Sequence, residues 1–231
     1  MTEITHCIFD MDGLLLDTER IYTQVTQEIL DKYVPGTKFT WDLKSQLMGR
    51  TAVESGRMVI EATKLPMTLE EYLDETADLQ EKRWPLADIL PGVANLVRHL
   101  KAHNIPIGVA TSSTRPKFEL KTSRHTELFS LFDSVTCGDD PEVINGKPAP
   151  DIFLVAKKRL GNPDASKCLV FEDALNGIQA ARAAGMHCIW IPDANMLKLH
   201  EGADHGATEM VLSMAEFDPV KFGMPALVKT D

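Results

Sequence analysis

The sequence lacks any long apolar run. Its apolar stretches are short and broken by charges, and none approaches the roughly 20 residues needed to cross a bilayer. It also lacks an excess of positive charge, because 24 lysines and arginines stand against 34 aspartates and glutamates, giving a formal net charge of -10. Proteins that bind a nucleic acid backbone carry basic patches. We therefore expect neither a membrane span nor a nucleic acid partner.

Cysteine is scarce, and its four residues show no spacing typical of a metal site or a redox pair. Cys7, Cys168 and Cys188 each lie inside a short apolar run, and Cys137 follows another. We interpret them as small buried residues kept reduced in a cytoplasmic protein. We also expect no signal peptide, because a candidate catalytic motif already begins at Asp10.

The chain otherwise has an ordinary globular composition, with 231 residues, 44% of them hydrophobic and 25% charged. Short, continuously apolar runs alternate with helical patterns, which favours strands that are covered on both faces. Such alternation predicts an α/β fold with a doubly wound parallel sheet. The predicted strands are residues 4–9, 105–110, 132–136, 168–171 and 188–191.

The first two predicted strands are unusually far apart. About 95 residues separate them, whereas a simple crossover needs only a dozen or more. The intervening stretch is rich in helical patterns, such as the stripe of Ile21, Val25 and Ile29. We predict an α-helical cap at residues 17–84, inserted into a core formed by residues 1–16 and 85–231.

The first of four candidate motifs directly follows the first strand and contains Asp10 and Asp12. Two carboxylates two positions apart point to the same side of an extended chain, so one could bind metal and attack phosphorus while the other moves a proton. By itself the motif is also typical of an acidic turn or an unrelated metal site.

The second and third motifs could bind phosphate. Thr111 and Ser112 end the second predicted strand, where hydroxyls and backbone N–H groups can hold an anion at a helix start, although such residues are also common helix caps. Lys147 lies in the loop 146–151, and the prolines beside it stiffen that loop. A lysine restrained in this way loses less freedom on binding an anion than the usual solvated surface lysine does.

The fourth motif is Glu172 and Asp173, which directly follow another apolar run. Adjacent carboxylates at a strand end suit a hard cation such as Mg²⁺, which binds oxygen ligands. Asp173 could instead cap the helix predicted to start at Ala174, and both roles are compatible.

As a set, the four motifs resemble the signature of phosphatases of the haloacid dehalogenase (HAD) superfamily, in order and over nearly the whole chain. The resemblance implies a Rossmann-like core in which Asp10 is the nucleophile and Asp12 the acid/base. It implies that phosphate is bound by Thr111 and Lys147, and the hydroxyl of Ser112 in the second motif is a further candidate.

The same resemblance implies Mg²⁺ as the cofactor. Its ligands would be Asp10, Asp173 and the backbone carbonyl of Asp12, with Glu172 assisting directly or through water. Phosphatases of this type act on small phosphorylated metabolites, and the resemblance also implies a monomer.

Four further segments, at residues 11–19, 121–125, 138–143 and 222–225, resemble eukaryotic pseudouridine-5'-phosphatases. Glycerol-3-phosphatases of similar sequence are the second substrate class that the resemblance allows. A β-phosphoglucomutase-like phosphomutase is a third possibility, because Arg50 in the predicted cap could bind a second phosphate, although it could equally face solvent. Dehalogenase chemistry fits less well, since it needs no second aspartate at position 12.

An alternative hypothesis is that the protein is not an enzyme but a binding or signalling module that is phosphorylated on Asp10 and retains the phosphoryl group. The intact Asp12 argues against that hypothesis, because it would assist hydrolysis. We therefore predict a Mg²⁺-dependent phosphatase.

Overall fold

The computed structural model describes residues 3–47, 51–199 and 203–227. The chain divides into two compact units, one made of Met1–Leu16 with Asp88–Asp231 and the other of Asp17–Ala87. The second of the two predicted boundaries lay between residues 84 and 85. Among the described residues, no helix is both long and apolar enough to cross a membrane.

The first unit contains a six-stranded sheet in which every pair of neighbouring strands is parallel, in the order β3-β2-β1-β4-β5-β6. The predicted α/β fold is therefore confirmed. The strands Ile107–Thr111 and Cys168–Glu172, on either side of the central strand, are fully buried, as the continuous apolar runs predicted. The strands are β1 His6–Phe9, β2 Ile107–Thr111, β3 Ser134–Cys137, β4 Cys168–Glu172, β5 His187–Trp190 and β6 Glu209–Met210.

Helices connect these strands, and their buried faces follow the apolar spacing of the sequence. In the helix that starts at Val93, for example, Leu96, Val97 and Leu100 are fully buried. The α-helices of this unit are numbered after the four of the other unit: α5 Val93–Ala102, α6 Arg115–Thr122, α7 Thr126–Phe129, α8 Asp151–Arg159, α9 Leu175–Ala183 and α10 Ala194–Leu199. Short 3-10 helices lie at Ala165–Lys167, Met214–Glu216 and Pro219–Phe222.

In the described part of the second unit, the regular elements are all helices: α1 Thr18–Tyr33, α2 Trp41–Leu47, α3 Ala52–Thr63 and α4 Leu69–Arg83, followed by the 3-10 helix Trp84–Leu86. Two of them begin with a capping box, in which Thr51 pairs with Glu54 and Thr68 pairs with Glu71. The predicted apolar stripe of α1 is buried. That this helical unit acts as a cap stays a prediction.

Candidate active site

Three neighbouring strands place three of the predicted site residues at one edge of the sheet. Asp10 directly follows β1, Thr111 ends β2 and Glu172 ends β4. β1 lies between β2 and β4, and the Asp10 N–H donates to the carbonyl of Phe171 at 3.0 Å. The carboxyl ends of parallel strands thus bring together residues that are 61 to 162 positions apart, where open α/β sheets place their sites.

Lys147 joins two of the carboxylates. Its ammonium donates to Oδ1 of Asp10 and to Oε1 of Glu172, each at 2.6 Å, and to the carbonyl of Ala110 at 3.2 Å. The side chain is almost fully buried, so Lys147 is not a solvated surface charge. Each of these contacts is a charge-assisted or backbone hydrogen bond that fixes the ammonium in place.

The electrostatics of this buried cluster are unusual. Burial raises the pKa of Asp10 to about 7, because the lowering by Lys147 is opposed further by the carboxylates of Glu172 and Asp12. Burial by itself would lower the pKa of Lys147, but the two carboxylates outweigh it and raise that pKa above its ordinary value. Perturbations of this kind are common where proton and phosphoryl chemistry takes place.

Glu172 is held on both carboxylate oxygens. Oε1 accepts from Lys147, and Oε2 accepts from the backbone N–H groups of Asp173 and Ala174 at 3.1 and 3.2 Å. Gly177 leaves the space for this carboxylate, since a Cβ built there would lie 1.9 Å from the Glu172 Cδ. The N-cap of α9 is Ala174, and no side chain makes a capping hydrogen bond there. The alternative prediction that Asp173 caps this helix is therefore wrong.

Asp10, Glu172 and Asp173 each offer one carboxylate oxygen to a common point, and these oxygens lie within 4.8 Å of one another. An all-oxygen donor set with several negative charges fits Mg²⁺, which binds through carboxylates and keeps some of its waters. The indole N–H of Trp190 donates to the backbone carbonyl of Asp173 at 2.9 Å. The donor set therefore fits the predicted cofactor.

Asp12 has partners that the sequence did not suggest. Lys121 Nζ donates to its Oδ1 at 2.6 Å, and Ser113 Oγ donates to its Oδ2 at 2.9 Å. Thr111 Oγ1 makes a longer contact with Oδ2 at 3.4 Å and accepts from the Ser113 N–H at 3.1 Å. The sequence position that could have indicated the burial of Lys121 is its place on the same face of α6 as the buried Phe118.

The predicted phosphate residue Ser112 has no described contact in this network. Ser112 is exposed, whereas its neighbour Ser113 contacts Asp12. Neither Thr111 nor Ser112 caps α6, whose N-cap is Thr114 without a side-chain cap. Arg50 lies outside the described residues.

A family model described as haloacid dehalogenase-like hydrolase matches residues 7–191. The "Probable pseudouridine-5'-phosphatase" of Drosophila melanogaster is 47% identical over 98% of this chain and 96% of its own length. The "(DL)-glycerol-3-phosphatase 2" of Arabidopsis thaliana is 44% identical over 96% and 92% of the two chains. A family IA, variant 3 HAD hydrolase structure from Entamoeba histolytica aligns with a TM-score of 0.75 at 25% identity, covering 95% of this chain and 97% of that chain.

These matches confirm the family predicted from the four motifs. They also agree on enzyme class, because the relatives at 44–47% identity are phosphatases by name. The chain belongs to the haloacid dehalogenase-like hydrolase family, and it is a phosphatase.

Proposed function

We propose that this protein is a Mg²⁺-dependent phosphomonoester hydrolase that forms an aspartyl phosphate on Asp10. The observation that carries the proposal is the convergence of Asp10, Asp12, Lys147, Glu172 and Asp173 at the carboxyl edge of the sheet. Two buried carboxylates, two partly exposed carboxylates and a buried ammonium at one edge of the sheet suit a reaction on an anionic group.

In the first step, a carboxylate oxygen of Asp10 attacks phosphorus as the bond to the leaving oxygen breaks. Asp12, protonated at this stage, gives its proton to that oxygen, so that an alcohol rather than an alkoxide departs. Lys147, held 2.6 Å from Asp10, offsets the repulsion between the nucleophile and the anionic phosphate.

In the second step, water attacks the phosphorus of the aspartyl phosphate. Asp12, now ionised, accepts a proton from that water, the bond between phosphorus and Asp10 breaks, and inorganic phosphate leaves. Asp10, Asp173 and the backbone carbonyl of Asp12 would hold Mg²⁺, with Glu172 assisting directly or through water. The ion would supply charge neutralisation for the phosphoryl group. The proposed cap, residues 17–84, would exclude bulk water during transfer.

For the substrate we propose pseudouridine 5'-phosphate. Support comes from the relative of that name at 47% identity over nearly the full length, and from the resemblance of residues 11–19 and 121–125. Glycerol 3-phosphate is the second candidate, supported by the relatives at 44% identity. In this mechanism the core residues would contact only the phosphoryl end, so the leaving group must be selected elsewhere.

The test is the specificity constant for pseudouridine 5'-phosphate, uridine 5'-phosphate, glycerol 3-phosphate, 2-deoxyglucose 6-phosphate and β-glucose 1-phosphate, with and without chelator. We expect Mg²⁺-dependent phosphate release with pseudouridine 5'-phosphate preferred. A preference for glycerol 3-phosphate would select the second candidate, and phosphoryl return to glucose 1-phosphate would make the protein a phosphomutase. Running Arg50→Ala in parallel tests whether that residue selects among substrates, because an equal change for all of them would contradict it.

A stable phosphoprotein without turnover would contradict the hydrolase and support a phospho-accepting module. Cytoplasmic location and a monomeric state remain predictions, to be checked by imaging of a tagged protein and by light scattering.

A further inference from the structure

Lys121 is a fully buried lysine with no place in the mechanism above. Its side chain is 0% exposed, whereas that of its partner Asp12 is 23% exposed. Burying an ammonium is costly unless it is paired and hydrogen-bonded. The burial of Lys121 on α6 therefore requires partners that compensate for the lost hydration of its ammonium.

The contacts of Lys121 form a closed triangle with Asp12 and Ser113. The ammonium donates to Asp12 Oδ1 at 2.6 Å and to Ser113 Oγ at 3.0 Å, and Ser113 Oγ donates to Asp12 Oδ2 at 2.9 Å. Both oxygens of the carboxylate thus have a donor, so its plane and its distance from β2 are restrained. An ammonium carries three donors at one point and can serve two acceptors at once.

We propose that Lys121 and Ser113 are positioning residues that hold the Asp12 carboxylate in the orientation required for proton transfer. The inference rests on the proposed role of Asp12 as acid/base. Because Lys121 itself is fully buried while Asp12 is partly exposed, the substrate meets Asp12 and not the lysine. Lys121 therefore acts through Asp12, by preorganising a group that must otherwise be ordered in each turnover.

Positioning predicts a loss that depends on the leaving group. A substrate with a poor leaving group, such as glycerol 3-phosphate, needs the proton from Asp12, whereas p-nitrophenyl phosphate needs it far less. In Lys121→Met we expect kcat/KM for glycerol 3-phosphate to fall by on the order of 100-fold, the size of effect that a displaced reacting group can produce. We expect kcat/KM for p-nitrophenyl phosphate to fall by less than about tenfold, with p-nitrophenol released in a burst as dephosphorylation slows.

The matched control is Lys117→Met, which makes the same change one turn earlier on α6 at an exposed position. We expect it to leave both specificity constants and the burst unchanged. An equal loss for the two substrates in Lys121→Met would overturn the inference, because it would indicate a general structural defect. If Lys121→Met does not fold, Ser113→Ala removes the donor to Oδ2 and one acceptor of Lys121 but keeps the lysine that donates to Oδ1. It should show the same leaving-group dependence at smaller size.

A double-mutant cycle separates this inference from the proposed function. In the Asp12→Asn background we expect Lys121→Met to change kcat/KM for glycerol 3-phosphate by no more than about twofold, since the group that it positions is already gone. Additive losses would overturn the positioning role. Wild-type activity of Asp12→Asn itself would instead refute the proposed function, whereas a defective Asp12→Asn beside a normal Lys121→Met would refute only this inference.

Discussion

Gly177→Ala tests how the carboxylate of Glu172 is held in place. A Cβ at this position would lie 1.9 Å from both Cδ and Oε1 of Glu172 and 2.3 Å from Oε2. Real Cβ contacts essentially never fall below 3.0 Å, so the carboxylate has to move by more than about 1 Å. Such a shift breaks the 2.6 Å contact with Lys147 and the N–H bonds from Asp173 and Ala174.

The magnitude can be worked out from these contacts. Alanine in place of glycine in a helix gains at most about 1 kcal/mol. Each hydrogen bond to a charged group contributes about 1.5–3 kcal/mol, so losing two of the three costs about 3 kcal/mol or more. The net expectation is a destabilisation of at least about 2 kcal/mol, opposite in sign to the helix propensity. Because Glu172 is also a proposed metal residue, Mg²⁺ activation should weaken at the same time.

The assay is urea unfolding with and without Mg²⁺, together with the Mg²⁺ concentration that gives half-maximal activity. Gly56→Ala is the matched control, since Gly56 also lies in a helix but its added Cβ would meet the end of the Leu69 side chain at 2.9 Å and the Tyr72 ring at 3.1 and 3.3 Å, and no carboxylate. Whatever this crowding costs in stability, we expect Mg²⁺ activation of that control to stay unchanged. A Gly177→Ala protein as stable as wild type, with normal Mg²⁺ activation, would refute the reasoning.

Asp10→Asn should abolish turnover while the circular dichroism spectrum stays native, because the near-isosteric amide is neither a nucleophile nor a strong metal ligand. Residual Mg²⁺-dependent turnover would contradict the mechanism. Asp173→Asn should raise the Mg²⁺ requirement more than Glu172→Gln, because we assign Asp173 as a direct ligand, and the reverse order in a Mg²⁺ titration would exchange the two assignments. The raised pKa of Asp10, about 7, means that its neutral form is favoured in the fold, so its stabilising contribution is lost as pH rises through about 7. Since Mg²⁺ binds the ionised form, it should raise Tm more at pH 8 than at pH 5.5, and an equal rise at both would contradict this.

Local patterns in the sequence were sufficient for the fold class and for most of the predicted site. Continuous apolar runs identified five of the six strands, because burial on both faces leaves a signature within four to six consecutive residues. The exception is β6, since a strand of two residues is too short to carry a pattern. The motifs around Asp10, Lys147 and Glu172 were likewise readable because each lies at the end of a strand or in a proline-stiffened loop.

Only the tertiary structure decided which of these residues meet. Lys121 and Asp12 are 109 positions apart, and their contact exists because β1 and β2 are neighbours in the sheet while α6 follows β2. The sequence presents Lys121 as one more helical lysine, and its burial depends on side chains from other segments. The same holds for Gly177, whose missing Cβ makes room for a carboxylate. Periodicity determines the face that an element buries, whereas the order of the strands determines the partner that each side chain finds there.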